Sequence, residues 1–246
     1  MSRAARNLRI FGKLIKYAFI LLIILINLFL VWRVFSASDP SSLKALSPNE
    51  ALAAAYEKNP SLDSMFAQEQ RSMTSAERNY GYFSVSRVVF IPEANQIQLI
   101  FRYNNGTLRH TQEDFGLDTP PSRDDEVYDI SLLVYTDITP DNKEDNSSIK
   151  DTAVKKTRIK PSYSITEQST LYNYRRLVFD LGELDLEALV NDGTLVSVFA
   201  DVYYNGALDY ETDPYGTLCL YDYITKTKPA KLSSADKKAL REFSEQ

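Results

Sequence analysis

The chain has 246 residues, 12% aromatic side chains and one cysteine, a composition typical of a packed domain without intrachain disulfides. Six of the 28 basic residues lie at or before Arg33, whereas all 33 acidic residues lie after it. Residues 34–246 therefore carry 22 basic against 33 acidic side chains, and this negative balance excludes nucleic acid as a partner.

An apolar run, residues 14–35, follows a short basic N-terminus, residues 1–13. At about 1.5 Å per residue the run spans roughly 33 Å, enough for a hydrocarbon core of about 30 Å. Tyr17 and Trp32 stand near its two ends, where aromatic side chains favour the interface with water. We therefore predict a single-pass transmembrane anchor.

A cleaved secretion signal is the alternative, because Ser36-Ala37-Ser38 is a small-residue triplet of the kind that a signal peptidase accepts. The apolar run is longer than the usual signal core of about 7–15 residues, which favours retention. The excess of basic residues before Tyr17 predicts that the protein lies in the cell membrane with its N-terminus in the cytoplasm. Both alternatives place residues 39–246 outside the cytoplasm.

Asn27 is the one amide in the apolar run. An amide in lipid can hydrogen-bond across a helix–helix interface, so Asn27 is a candidate contact with a transmembrane partner. A single tolerated asparagine is the alternative interpretation.

Residues 36–79 are expected to form a helical juxtamembrane region. Ser47-Pro48-Asn49-Glu50 combines a capping residue, an early proline and a glutamate, which is a helix start signal. This helix should end before Pro60, and a second helix is expected over 62–77. The two helices could pack on the following domain or form a spacer above the membrane.

Residues 80–226 follow a period-two pattern that predicts an antiparallel β-sandwich of about seven strands. A hairpin is expected across "PEAN" at 92–95, and the dipeptide Asn105-Gly106 is typical of a tight turn between strands. A helical turn is expected near 184–190, and the C-terminal tail, residues 227–246, should contain a helix at 234–244 after Ser233. The other strands are expected at 127–136, 152–159, 172–181, 194–204 and 215–224.

Catalytic chemistry finds little support in the sequence. His110 is the one histidine, so a serine–histidine triad has no further candidate base, and one histidine with one cysteine cannot make a usual zinc site. No phosphate-binding glycine motif occurs. We therefore predict no catalytic residue, no cofactor and no metal ligand. Calcium binding stays open for two acidic loops, which contain Asp124, Asp125 and Glu126, and Asp209, Glu211 and Asp213. A carboxylate-based glycan hydrolase also stays open, and its candidate acids lie within strands: Asp129, Asp180 and Asp201.

Tyrosines crowd the last two strands and form a candidate binding surface, because exposed rings can stack on sugars or anchor a protein partner. These tyrosines are Tyr203, Tyr204, Tyr215, Tyr221 and Tyr223. The sequence thus predicts a membrane-anchored, non-catalytic domain for binding or scaffolding at the cell surface, as an accessory to another membrane protein. The alternatives are a carbohydrate-binding module that takes a surface glycan and the glycan hydrolase.

Overall fold

The computed structural model describes residues 3–37, 40–68, 83–123, 126–137, 154–209, 213–222 and 226–245. The chain divides into two compact units, one up to Ser38 and one from Asp39 onward. The first unit consists of helix α1, Arg3–Ala37. Within it, Lys13–Val34 is long and apolar enough to cross a membrane, and none of this stretch is buried in the chain.

The second unit is mainly β, as predicted, and its strands form two antiparallel sheets. The ten strands are β1 (Phe66–Gln68), β2 (Phe83–Ile91), β3 (Gln96–Asn104), β4 (Tyr128–Asp137), β5 (Val154–Ile159), β6 (Tyr163–Gln168), β7 (Tyr172–Asp180), β8 (Leu195–Tyr204), β9 (Gly216–Asp222) and β10 (Thr227–Pro229). A six-stranded sheet has the order β10-β1-β2-β3-β7-β6, and a four-stranded sheet has the order β5-β4-β8-β9. All seven expected strands are present, and β1, β6 and β10 are additional.

One apolar cluster takes side chains from both sheets. Phe90 of β2 and Phe101 of β3 come from the six-stranded sheet, while Leu132 of β4 and Leu218 of β9 come from the four-stranded sheet. Because side chains alternate along a strand, each sheet also has an outer face, made of the strand residues that point away from this cluster.

The described part of the second unit also contains five α-helices, of which all but the first begin at a residue whose side chain caps the helix. They are α2 (Ser41–Lys44), α3 (Glu50–Lys58), α4 (Asn105–Phe115), α5 (Leu186–Asn191) and α6 (Ser234–Ser244). The expected helix after Ser233 is confirmed: the Ser233 side chain accepts a hydrogen bond from the Asp236 amide, and Asp236 reciprocates. Helix α3 is confirmed too, although Asn49 rather than Ser47 is its cap.

Two local predictions are wrong. Asn105-Gly106 is not a turn between strands but the start of α4, because the Asn104 side chain caps that helix in a capping box with Thr107. The helix ends at Gly116, whose φ of 61° suits glycine. The helix expected over 62–77 does not form in its described part, since Phe66–Gln68 is strand β1, between β2 and β10. Residues 69–77 lie outside the described residues.

The hairpin at 92–95 is confirmed. Pro92–Ala94 forms a short 3₁₀ turn, and Asn95 closes it in the left-handed region with φ of 50°. Asn95 then accepts a hydrogen bond from the Leu186 amide through its Oδ1 atom, at 3.0 Å, which ties α5 to this turn.

The stretch from Pro40 to Met65 packs on the domain and is not a spacer. Leu52 of α3 and Met65 are buried in a second apolar cluster with Val89 and Ile91 of β2 and Leu240 of α6. These contacts place the stretch and α6 on the outer face of the six-stranded sheet.

Candidate functional site

A pocket lies where residues 43–46 cross the outer face of the six-stranded sheet. It is partly open to solvent, and its walls include the buried side chains of Leu43, Leu46 and Ile100. Two arginines from neighbouring regions of the sheet, Arg87 of β2 and Arg176 of β7, complete it. The pocket thus combines an apolar wall with two guanidinium groups.

Both arginines also donate hydrogen bonds to the stretch above them. Arg176 Nη2 donates to the Ser42 carbonyl oxygen at 2.8 Å, and Arg87 Nη1 donates to the Lys44 carbonyl oxygen. These carbonyls belong to α2, a helix of four residues, whose last backbone acceptors lack partners within the helix. The arginines therefore fix the segment that directly follows the first unit along the chain.

Two more side chains of the same face hold the stretch by amide and carboxylate groups. Gln98 accepts from the Ser47 amide at 2.8 Å through Oε1 and donates to the Ser47 carbonyl at 2.9 Å through Nε2. Asp236 of α6 accepts from the buried Leu46 amide at 2.6 Å. An irregular stretch needs such partners, because its buried backbone groups have no hydrogen bonds of a helix or a sheet to satisfy them.

Electrostatics in the pocket are unbalanced. Arg176 is only 6% exposed, yet neither it nor Arg87 forms an ion pair with a described carboxylate. Burial, followed by the positive charge of Arg87, lowers the pKa of Arg176, while Tyr163, Asp236 and Glu167 act in the opposite direction. Arg176 therefore carries its charge in a buried setting, close to a second positive charge.

These arginines were not among the site residues predicted from the sequence. The available signal was the pair Arg175-Arg176 in the middle of the strand "YNYRRLVFD". Consecutive strand residues point to opposite sides of a sheet, so one arginine of such a pair must face the core side. Arg175 does so, and its Nη2 atom contacts Glu126 at 3.3 Å and Ser164 at 3.0 Å.

The outer face of the four-stranded sheet carries a polar network. Arg158 of β5 donates to the Ser131 hydroxyl at 3.0 Å and to the Tyr203 hydroxyl at 2.8 Å, and it lies 3.7 Å from Asp201. Thr217 donates to Asp201 at 3.0 Å. Burial raises the pKa of Asp201, against the effect of the Thr217 hydrogen bond and of Arg158. The network thus ties together residues of all four strands.

Beside the network, the same face carries Leu133, Tyr135 and Phe199. Leu133 pairs with Phe199 across β4 and β8, and the rings of Tyr135 and Phe199 meet edge to face at 5.7 Å. None of these three belongs to an apolar cluster with another element among the described residues. Leu133 is buried, whereas Tyr135 and Phe199 are partly exposed.

The predicted row of exposed tyrosines is not present among its described members. Tyr203 and Tyr215 are buried, and Tyr204 and Tyr221 are partly buried against the core shared by the two sheets. Tyr223 lies outside the described residues. Adjacent Tyr203 and Tyr204 must point to opposite sides of the sheet.

An irregularity in strand pairing accounts for Tyr221. Cys219 is opposite Phe199 but Tyr221 is opposite Val198, so Leu220 is an extra residue in β9. The shift turns the Tyr221 ring toward Phe66 and Phe90 instead of leaving it on the face of Cys219.

The other residues considered for chemistry do not assemble into one site. His110 lies on α4, 3.5 Å from Glu113, rather than in a loop. Asp180 is exposed, whereas Asp201 is buried beside Arg158. Burial raises the pKa of the Cys219 thiol. The described residues contain no group of potential metal ligands, and parts of both acidic loops lie outside them.

Asn27 bonds within its own helix. Its Nδ2 atom donates to the Ile23 carbonyl oxygen at 2.8 Å, one turn earlier in α1.

No protein-family model, no curated protein and no solved structure matches this chain.

Proposed function

We propose that this chain is a single-pass membrane protein with an extracytoplasmic, non-catalytic β-sandwich that binds a protein partner, as an accessory to another membrane protein. The cytoplasmic end is the basic N-terminus, by the charge asymmetry across the apolar run. Anchoring is supported by Lys13–Val34, an apolar stretch that the chain itself leaves entirely uncovered. Transfer of such a stretch from water into lipid is strongly favourable.

The observation that carries the binding role is the outer face of the four-stranded sheet. Leu133, Tyr135 and Phe199 form an apolar and aromatic patch there, next to the polar network of Arg158 and Asp201. A partly exposed aromatic centre with hydrogen-bonding groups beside it is the usual composition of a protein interface. The opposite outer face, by contrast, is already occupied by residues 40–65 and α6.

Binding of a surface glycan through the last tyrosines has less support. That function needs several rings on one exposed face, and the four described tyrosines are buried or packed in the core. A two-carboxylate hydrolase is also less favoured, because Asp201 is engaged by Arg158, Thr217 and Tyr203.

The test is an affinity purification of the full-length protein from native membranes in mild detergent. Wild type and Lys238→Ala, on the exposed side of α6, should both retain a stoichiometric partner, and Phe199→Lys should lose it. Phe199 is partly exposed, so this substitution should leave the far-UV circular dichroism spectrum unchanged. A partner retained by all three proteins contradicts the proposed surface.

Asn27→Leu separates docking through the span from docking through the outer domain. A partner lost from Asn27→Leu but kept by Phe199→Lys would place recognition in the membrane helix. Recovery of the protein from the soluble fraction, with an N-terminus near Asp39, would contradict the anchor itself.

A further inference from the structure

We propose that Arg87 and Arg176 form a binding site for a phosphate-type oxyanion in the pocket beneath residues 43–46. The site is separate from the patch around Phe199, since it lies on the outer face of the other sheet. It also does not depend on membrane anchoring, because every residue that builds it belongs to the second unit.

The arrangement of donors points into the pocket. Each guanidinium has five N–H groups, and one hydrogen bond to a backbone carbonyl is seen for each arginine. Among the described residues, no nitrogen of Arg176 is both buried and without a hydrogen-bond partner. The N–H groups of Arg176 that do not bind Ser42 therefore keep some solvent contact, and Arg176 is one of the residues that line the pocket.

The nearby carboxylates do not neutralise the pair. Glu167 accepts a hydrogen bond from the Ser42 hydroxyl, and Asp236 accepts from the amides of Leu46 and Ser233. Neither acid forms an ion pair with Arg87 or Arg176. Glu167 thus binds a side chain of the covering stretch and Asp236 binds one of its backbone amides, and the two positive charges keep no direct counterion among the described residues.

Holding the backbone of the stretch does not neutralise the charge of Arg176, which is buried, whereas Arg87 beside it is partly exposed. A backbone carbonyl carries only a partial charge, so the bonds to Ser42 and Lys44 satisfy two donors without neutralising two cations. An arginine cannot lose its proton to relieve the cost of burial, unlike a lysine. Burial of an unpaired charge is expensive, and a bound anion removes that cost.

Phosphate fits the site better than a single carboxylate. A tetrahedral oxyanion presents three or more oxygens, so one anion can accept from two guanidinium forks at once. The phosphate can come from a free phosphate or from a phospholipid head group, and the experiment distinguishes these two sources.

The first arm of the test uses inorganic phosphate and the full-length protein in an uncharged detergent. Equilibrium dialysis with radiolabelled orthophosphate should detect one bound phosphate per chain. Arg87→Gln should weaken binding by about tenfold or more, since it removes a charge-assisted contact. Arg109→Gln, an exposed arginine on α4, is the matched control and should bind as wild type does.

Arg176→Gln should abolish binding, provided that its circular dichroism spectrum stays native. If it fails to fold, Arg87→Lys serves instead: it keeps the charge but loses the planar fork, so its affinity should fall between those of wild type and Arg87→Gln.

The second arm uses vesicles of phosphatidylcholine and phosphatidylglycerol. After reconstitution and gentle extraction, native mass spectrometry counts the phospholipids retained by each chain. A lipid retained by wild type and lost by Arg87→Gln identifies a head group as the source, whereas phosphate binding alone identifies a free phosphate. The proposal is overturned if Arg87→Gln matches wild type in both arms, or if neither probe binds. Release of the protein from membranes would contradict the proposed anchor, but it would not change what the dialysis result says about the phosphate site.

Discussion

The outer faces of the two sheets differ in what covers them. On the six-stranded sheet, Leu52, Leu62 and Met65 pack against β2 and are almost fully buried. On the four-stranded sheet, the patch of Leu133, Tyr135 and Phe199 joins no described cluster with another element. Both faces nevertheless mix apolar and polar side chains along their strands.

The difference shows that polar residues in a strand do not by themselves indicate a solvated face. Gln96 and Gln98 alternate with the core residues of β3, as solvent-facing residues would, yet both are buried. They are buried because an irregular stretch lies over them, and its backbone groups need hydrogen-bond partners. On the four-stranded sheet the polar groups instead bond to one another across strands.

The largest effect is expected from the apolar contacts of the covered face. Leu52→Ala should lower the free energy of unfolding by about 2–5 kcal/mol, because Leu52 is fully buried and its loss leaves a cavity. Phe199→Ala on the other face should cost clearly less, since that ring is partly exposed. Denaturant unfolding of the full-length protein in detergent, followed by circular dichroism, measures both. Equal losses would mean that the two faces are equally covered.

A smaller effect is expected where α6 holds the stretch. Asp236→Ala removes the acceptor of the Leu46 amide and one half of the α6 capping box. The substitution should lower the free energy of unfolding by about 1–3 kcal/mol more than loss of the helix cap alone does, because the buried Leu46 amide is left without a partner.

Ser233→Ala is the matched control for that comparison. It removes the Ser233 side chain from the same capping box and should cost about 1 kcal/mol. Indistinguishable unfolding curves for the two variants would show that the bond to Leu46 contributes nothing to stability.

The smallest effect is expected from Asp201 and depends on pH. Burial raises the pKa of Asp201 above its ordinary value of 3.8, so the folded state keeps this proton when the unfolded state has lost it. Stability from this group is therefore fully present below pH 3.8 and is lost as the pH rises through the folded-state pKa. Asp201→Asn has no carboxylate to ionise at this position. Its free energy of unfolding, relative to that of wild type, should therefore increase as the pH rises through the folded-state pKa of Asp201.

The measurement is a series of unfolding curves from acid to neutral pH. Asp180→Asn, an exposed carboxylate at the end of β7, is the control. A constant difference between wild type and Asp201→Asn across the series would mean that the pKa of Asp201 is the same in the folded and unfolded states.

Most of the strands could be predicted, because alternation of apolar residues is a local signal. In "QIQLIFRY" it predicts Ile97, Leu99 and Phe101 on one side, and all three lie in the shared core. Strand β1 could not be predicted, since the three residues Phe66–Gln68 carry too little pattern and depend on pairing with β2 and β10. Helix α4 was missed because Asn105-Gly106 also fits a turn.

The candidate sites were less accessible to sequence reasoning. The tyrosine surface was predicted from residue type and alternation, but an extra residue in β9 changed the side on which Tyr221 lies. The pocket of Arg87 and Arg176 joins residues of β2 and β7 that are far apart along the chain. Such proximity follows from the order of strands in the sheet, which local sequence patterns do not specify.

The sequence by itself determined the apolar helix, the mainly β class and the C-terminal helix with its Ser233 cap. Each depends on residues close together along the chain: a hydrophobic period, a length or a capping box. Only the tertiary structure decided that residues 40–65 cover one sheet, that Tyr204, Tyr215 and Tyr221 pack on the core, and that two arginines share a pocket. These outcomes depend on contacts between distant segments, and burial and charge act through space rather than along the chain.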